Sequence, residues 1–554
     1  SPDRLDVTQS IVLSPGSVID ISSGGYVGIT GALKVGSDGL TAGKGGSVTL
    51  VTYSGGWGNP PSGDTVPFNS PPTLNLPNQA NIVLGGTIFA QGFDGGGTFS
   101  LEAPIITIDD ATTQVTSFLS SATATAVLGQ APAAVFSTSD TRAGEVVLPP
   151  SLFTSGFSQY TLTSAFGSTT VTAGTQLVLQ GSSFLPTGIE SEIPSGAIVR
   201  SFEPVALLPD GLRKPVSLTL AEKAFAGSDP VSSQAGVLID RSASIVADPQ
   251  ATVSLHAAGP VTVLGSISAP GGVINLLNDP RFSNMAANAP GLAAADVWIG
   301  PNAVLDVSGV FVPNPRVATF STGTVLDGGS IGITSATLVA QPGAQLDLQG
   351  ALVSAASNLI QVPSGSISGP HFVSETQWSN GGTLQITGIS NLYFASAVDA
   401  AGGAPAATGG TLTIGTLAQP TGTIVIEPAG VIAANLPPVG AAFPLTPLQL
   451  SSMTPSARGE FIGADTLSNS GFYSANLSAN AIAFNGSVNV SVPGALTLVT
   501  GSGHLVLGQS SNSLTPALPT GSGSINHASV DLNAPYVQIV GTFDGNSNSF
   551  TLPG

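Results

Sequence analysis

Aspartate recurs between two aliphatic residues in three stretches of a chain that otherwise carries few charges. The stretches are PGSVIDIS at 15–22, PNAVLDVSG at 301–309 and PGAQLDLQG at 342–350. A carboxylate repeated at equivalent positions is the chemistry of a paired acid and base or of a calcium site. Asp306 and Asp347 would form such a pair if their segments are neighbours in the fold. The Pro-x turn before each Asp is also typical of the outer face of a repeating structural unit.

Other residues that could do chemistry are sparse. Asp109–Asp110 is the one adjacent pair of acids. The histidines are far apart, at His256, His371, His504 and His527, without the spacing of metal ligands. The lysines are Lys34, Lys44, Lys214 and Lys223, and neither they nor the eight arginines cluster beside the acids. We therefore interpret the acids as turn caps and solubilising groups, and assign no catalytic, cofactor-binding or metal-binding residue.

Three tryptophans could stack on sugar rings. Trp57 lies in a Gly- and Pro-rich segment, which favours exposure, and it is the one ligand contact that we predict. Trp298 and Trp378 adjoin Gly-containing strand starts and are predicted to close a turn of the fold.

The elements that position these residues show a period of two. In a strand, Leu305 shares the inner face with its aliphatic neighbours, and Asp306 faces outward. The same alternation places Leu346 inside and Asp347 outside. The recurrence of Asp then follows from which face of a strand it occupies.

A second unit places Gly-Gly directly before a strand. We attribute the glycines to backbone angles that a side chain would forbid. The strands are short, aliphatic and separated by Gly or Pro turns, which is typical of a parallel β-helix of roughly 20–25 residues per coil and about two dozen coils. The units are GGSVTLVT (45–52), GGTIFAQG (85–92), GGTFSLEA (96–103), GGVINLLN (271–278), GGSIGITS (328–335), GGTLQITG (381–388) and GGTLTIGT (409–416).

The irregular spacing of these units predicts loop insertions in a single elongated all-β domain over residues 1–554. Helical composition is confined to 207–227, where we expect a helical turn or two at most. The predicted insertions are 54–72, 189–235, 279–297, 310–322 and 435–460, most of them rich in Pro and Gly.

Composition excludes several classes of protein. The chain has 554 residues, 8% charged, with a net charge of −19 and no cysteine. The negative charge disfavours nucleic acid and anionic lipid as partners, and the lack of cysteine excludes disulfides. No run of about 18 apolar residues predicts a transmembrane helix.

Three stretches, 237–276, 297–350 and 464–501, resemble the filamentous haemagglutinin family of two-partner secretion exoproteins. Examples are VLIDRSASIVADPQATVSLHAAGPVTVLGSISAPGGVINL and ADTLSNSGFYSANLSANAIAFNGSVNVSVPGALTLVTG. The resemblance implies a right-handed β-helical stalk, secreted to the bacterial cell surface by an outer-membrane partner. The Asn-Pro-Asn motif of the family's secretion domain is absent, so we expect an internal stretch of a longer exoprotein.

The sequence therefore predicts a structural or adhesive protein rather than an enzyme. Its uncharged exterior is expected to contact glycans, host or neighbouring cells, or like chains, and its ends to associate with each other. The alternative is a polysaccharide-cleaving β-helix lyase or hydrolase, which would use acids such as Asp306 and Asp347. No cofactor is expected for the first role.

Overall fold

The computed structural model describes most of the chain in two compact units. Unit 1 runs up to Gly259 and includes Asp279; unit 2 comprises Pro260–Asn278 and the residues from Asp296 onward. The described residues are 10–13, 16–37, 39–51, 81–103, 105–110, 145–164, 167–194, 196–223, 236–279, 296–315, 322–355, 359–362, 371–389, 391–415, 421–434, 460–485, 488–507 and 530–544.

Parallel strand pairing dominates unit 1, in three stacks that we name A, B and C. Stack A contains β3 (Val48–Val51), β6 (Thr98–Ala103), β9 (Gln159–Ser164), β14 (Ser217–Glu222) and β17 (Thr252–Ala257). Stack B pairs β8 (Glu145–Leu148), β7 (Ile105–Ile108), β10 (Thr169–Val171) and β15 (Val237–Ile239) in that order. Stack C pairs β11 (Gln176–Leu179) with β16 (Ser244–Ala247). Two further parallel pairs join β1 (Ser10–Leu13) to β4 (Asn81–Leu84) and β2 (Val18–Asp20) to β5 (Thr87–Phe89).

Unit 2 repeats the same three stacks. Stack A contains β20 (Val273–Asn278), β25 (Ser330–Thr334), β32 (Thr383–Thr387), β35 (Thr411–Ile414), β38 (Ser474–Phe484), β40 (Ala495–Leu507) and β42 (Tyr536–Asp544). Stack B contains β18 (Val261–Val263), β21 (Asp296–Ile299), β26 (Thr337–Ala340), β33 (Asn391–Phe394), β37 (Glu460–Gly463) and β36 (Thr421–Glu427). Stack C contains β19 (Ser266–Ser268), β22 (Val304–Asp306), β27 (Gln345–Asp347) and β34 (Ala397–Asp399). A separate parallel pair joins β39 (Val488–Ser491) to β41 (Val530–Asn533).

The chain visits stacks A, B and C in turn, and each strand pairs in parallel with its equivalent from the next round. The clearest rounds are β20, β21 and β22, then β25, β26 and β27, then β32, β33 and β34. The fold is all-β and consistent with a parallel β-helix, as predicted. The right-handedness of the helix and its continuity over the whole chain stay predictions.

Insertions leave the stacks as antiparallel hairpins. They pair β12 (Ser182–Phe184) with β13 (Val205–Leu207), β23 (Phe311–Pro313) with β24 (Gly323–Val325), β28 (Leu352–Val353) with β31 (Gln377–Trp378), and β29 (Leu359–Val362) with β30 (His371–Ser374). Helices are short: α1 (Val431–Ala434), α2 (Ala464–Asn469) and 3-10 turns at Pro150–Thr154, Glu190–Glu192 and Val199–Ser201. Among the described helices, none has the length and apolar character that a membrane span requires.

The core consists of inward side chains stacked in register. Leu305 and Leu346 are 0% and 1% exposed, which confirms the predicted inner face. Full burial of such a side chain contributes about 1.5–3 kcal/mol each. The inner rows of stack A include Phe99, Tyr160, Leu218 and Val253 in unit 1, and Ile274, Ile331, Leu384 and Leu412 in unit 2.

The Gly-Gly units lie where neighbouring segments of backbone come so close that a side chain would not fit. A Cβ on Gly329 would lie 2.0 Å from the carbonyl oxygen of Gly272, and one on Gly382 would lie 2.1 Å from that of Gly329. Neither Gly329 nor Gly382 has a positive φ. The predicted reason, a backbone angle forbidden to other residues, is therefore wrong at these two positions.

One predicted insertion differs from the structure, and three others lie wholly or mostly outside the described residues. Strand β14 lies inside 189–235, so the excursion ends before Ser217, and the helical turn predicted within 207–227 is wrong there. The reason is that Leu218 and Leu220 alternate with outward residues and pair on both sides with neighbouring strands. The segments 54–72, 280–295 and 435–459 lie outside the described residues.

The coils are also longer than predicted. Successive strands of stack A in unit 2 begin at residues 273, 330, 383 and 411. Most rounds therefore exceed the expected 20–25 residues, because hairpins lie between the strands of a round. One example is the hairpin of β23 and β24, which begins within the predicted insertion 310–322.

Candidate functional site

Three carboxylates form a row on stack C of unit 2. Asp306, Asp347 and Asp399 occupy directly paired positions of β22, β27 and β34, and neighbouring strands lie about 4.8 Å apart. The predicted stacking of Asp306 on Asp347 is confirmed. Asp399 was missed because no Pro-x turn precedes it.

Each acid of this carboxylate row caps the turn that follows its strand. Oδ1 of Asp306 accepts the N–H of Ser308 at 2.9 Å, and Oδ1 of Asp347 accepts that of Gln349 at 3.1 Å. Asp399 and Asp20 accept the N–H two residues onward in the same way. These bonds form Asx turns, in agreement with the capping interpretation.

The three acids of the row share a turn-capping bond but differ in their other surroundings. Burial raises the pKa of Asp347, the N–H of Gln349 lowers it, and the charges of Asp306 and Asp399 raise it. Asp306 also accepts the hydroxyls of Ser268 and Ser308, at 2.8 and 2.7 Å, whereas Asp399 is exposed. Within the described ranges, no group of three or more His, Asp or Glu residues is arranged to hold a metal ion.

Asp347→Asn is expected to raise the free energy of unfolding by about 0.2–1 kcal/mol, because it removes like charges directly opposite on two strands. The Asn side chain still accepts the N–H of Gln349. Urea denaturation at pH 7 measures the change, which should shrink in 1 M salt because ions screen the charges. A loss of stability at low salt would contradict this account.

The adjacent acids and the histidines that the sequence singled out do not form one cluster among the described residues. Asp109 is half-buried and Asp110 exposed, directly after β7. His256 lies on β17, where burial lowers its pKa and the charge of Asp279 opposes that shift. His371 and His504 belong to β30 and β40, and His527 lies outside the described residues.

The tryptophans occupy different environments. Trp57 lies outside the described residues, so the predicted ligand contact stays a prediction. Trp298 is 2% exposed and packs with Val339 and Tyr393, its register neighbours in stack B. Trp378 is 44% exposed. It pairs with Leu352 across an antiparallel hairpin, so its predicted role in closing a turn is wrong.

The lysines that the sequence singled out pair singly with acids or face solvent. Lys214 lies 3.4 Å from Asp94 and Lys223 lies 3.0 Å from Glu102. Lys34 and Lys44 are exposed.

A buried ion pair was missed by the sequence analysis. The Arg213 guanidinium, between β13 and β14, binds both oxygens of Asp248, with Nε donating to Oδ2 at 2.7 Å. It also donates to Oδ1 of Asp210 at 2.6 Å and to the carbonyl of Leu208. Hydrogen bonding to Asp248 raises the pKa of Arg213. These bonds attach the excursion to the turn after β16 and are structural.

A second arginine attaches the same excursion to the first strands of unit 1. The Arg200 guanidinium lies 3.6 Å from the ring centroid of Phe89 and donates to Gln91 and to Ser22. Its Nε is 3.9 Å from Asp20. Burial lowers the pKa of Arg200, and the charge of Asp20 opposes that shift.

Glu222 is a buried acid on the inner face of β14. It is 0% exposed, and Oε2 accepts the N–H of Gly259 at 2.9 Å. Oε1 has no hydrogen-bond partner among the described residues. Burial raises the pKa of Glu222 to about 7, although bonds from Gly259 and Ala258 lower it. A sequence signal existed, since Glu222 has the same parity as the inward Leu218 and Leu220.

A regular polar surface covers the outer face of stack A in unit 1. One row, in register, is Thr49, Ser100, Thr161, Thr219 and Ser254, and the adjacent row is Thr98, Gln159 and Ser217. We name these eight positions the hydroxyl face; seven are Ser or Thr and none is charged. Thr49 and Gln159 are exposed and the others half-buried. The rows repeat about every 4.8 Å across strands and about 6.6 Å along them.

Ionisable groups occupy the next outward positions along these strands. The ion pair of Glu102 with Lys223 and the His256 side chain follow at the carboxyl ends of the strands. The eight positions of the hydroxyl face thus form an uncharged lattice of groups that both donate and accept hydrogen bonds.

Comparisons with known proteins do not identify a family for the chain. No family model, no curated protein sequence and no solved structure matches the chain.

Proposed function

We propose that the chain is a structural or adhesive exoprotein that contacts glycans, cell surfaces or like chains outside a bacterial cell. The observation that carries the proposal is the hydroxyl face, a regular polar sheet surface without charge. Stacked strands with inward aliphatic rows supply a rigid support for it, and buried backbone ladders resist local opening.

The resemblance of 237–276, 297–350 and 464–501 to filamentous haemagglutinin exoproteins supports the same role. In that family an outer-membrane partner exports the chain. We propose the same route here. Self-association with like chains belongs to this proposal as well.

The carboxylate row is the one observation that favours a polysaccharide-cleaving enzyme. Each of its three acids caps the turn that follows its strand, and this structural role accounts for the row without catalysis. Release of reducing ends from a polysaccharide panel, abolished by Asp347→Asn, would favour the enzyme over the adhesive protein.

The adhesive role is tested on the purified chain. We expect retention on immobilised glycans or on bacterial cells, or concentration-dependent association in sedimentation velocity. A chain that shows none of the three would contradict the proposal. Asp347→Asn is the matched control, since it alters an outer acid that is not one of the eight positions of the hydroxyl face, and it should bind like the unsubstituted chain.

A further inference from the structure

We propose that the hydroxyl face of unit 1 is the contact surface, and that its ligand is a neutral polysaccharide. This inference rests on the proposed adhesive function and assigns both its site and its class of ligand.

Charge selects a neutral ligand. The chain carries a net charge of −19, which repels acidic polymers such as uronate or sulfated glycans. The eight positions of the hydroxyl face include no cation that could bind a carboxylate or sulfate. A polymer that offers only hydroxyl and ring oxygens matches this surface without leaving a charge unpaired.

Spacing selects a polymer rather than a single sugar. The row from Thr49 to Ser254 places one hydroxyl on each of five successive strands. Sugar units in an extended glycan recur at a similar interval, so several units can bind at once. Each hydrogen bond exchanged with water adds little by itself. The sugar units of a polymer are covalently linked, so once one unit is bound the next units bind within the same complex, and the overall affinity rises.

The face is also preorganised. The residues between the outward positions, such as Phe99, Tyr160 and Leu162, are buried in the core, and each inner strand is paired on both sides. Thr161 and Thr219 are β-branched and have few side-chain rotamers. A rigid array loses little entropy on binding, which favours affinity.

Trp378 is the rival site for a sugar, because an exposed indole can stack on a pyranose ring. It lies in unit 2, on a hairpin outside the stacks, and its nearest paired residue is Leu352 rather than a row of polar groups. It would bind one ring and would distinguish poorly between polymers and short sugars. Trp378→Ala therefore serves as a variant that separates the two sites.

The test is affinity electrophoresis of the full chain in gels that contain hydroxyethyl cellulose or dextran, which are neutral, or alginate, which is acidic. We expect retardation by a neutral polymer and none by alginate. The double variant Thr161→Val with Thr219→Val removes two hydroxyls at nearly constant volume, and its dissociation constant should rise about tenfold. Thr161→Ser with Thr219→Ser keeps the hydroxyls and should bind like the unsubstituted chain.

Thr170→Val, on stack B of unit 1, is the control for the same chemical change elsewhere and should leave binding unchanged. Circular dichroism melts establish that the variants are folded. Retardation by alginate alone, or by none of the polymers, would overturn the inference, whereas the adhesive function would stand if cells or like chains are still bound. Unchanged binding in the Val pair, with binding lost in Trp378→Ala, would also overturn it and move the site to unit 2.

Discussion

Arg213→Met is expected to lower the free energy of unfolding of unit 1 by about 3–5 kcal/mol, the usual cost of breaking a buried ion pair on one side. Arg213 is 8% exposed and Asp248 is 4% exposed. Without the guanidinium, both oxygens of Asp248 remain in the protein with their charge and lose their donors. The carbonyl of Leu208 loses its donor as well.

The measurement is thermal and urea denaturation, with limited proteolysis to detect release of the excursion before β14. Arg241→Met removes an exposed arginine and is the matched control, with an expected change within about 0.5 kcal/mol. The double variant Arg213→Met with Asp248→Leu should recover most of the loss, because no uncompensated charge is left. A double variant as unstable as the single one would show that packing, not charge, accounts for the effect.

The alternation of faces could be predicted from the sequence because it is local. Leu305 and Asp306 are neighbours, and a strand must place them on opposite sides whatever its partners are. The same reasoning identified Asp347 as an outer residue. It could not place Asp399 in the row, since the register of stack C depends on how many residues each insertion contains.

Contacts between distant segments could not be predicted in this way. Arg213 and Asp248 are separated by 35 positions, and their pairing requires an excursion that returns to a particular turn. The Gly-Gly units show a different limit. The positions of these units could be read from the sequence. The carbonyl that contacts Gly329 belongs to Gly272, in the preceding round of the fold, and reasoning from neighbouring residues alone could not predict that contact.

The stretch SLTLAE shows where composition misled the prediction. Leu, Ala, Glu and the nearby Lys are good helix formers, yet two flanking strands pair with β14 along its length. Tertiary pairing outweighs propensities of a few tenths of a kcal/mol per residue. Applying the period of two to these six residues would have placed Glu222 inside the core.

Burial of Glu222 is expected to make unit 1 more stable in mild acid than at slightly alkaline pH. The pKa of Glu222 is about 7 in the folded protein, against 4.5 for an unperturbed glutamate. The folded state therefore holds the proton more tightly than the unfolded state does. This contribution is fully present below pH 4.5 and is lost as the pH rises through 7, a change of about 3 kcal/mol.

Glu222→Gln removes the ionisation while its side-chain oxygen still accepts the N–H of Gly259. We expect the variant to lack this loss, so that its advantage over the unsubstituted chain grows by about 3 kcal/mol between pH 4.5 and pH 8. Urea midpoints measured across that range test the difference. Glu192→Gln changes an exposed acid in unit 1 and controls for loss of one charge. Burial also lowers the pKa of His256, but His256 contributes equally to the pH dependence of stability in both chains. Parallel pH profiles for Glu222→Gln and the unsubstituted chain would therefore contradict the prediction and mean that Glu222 contacts water in the folded protein.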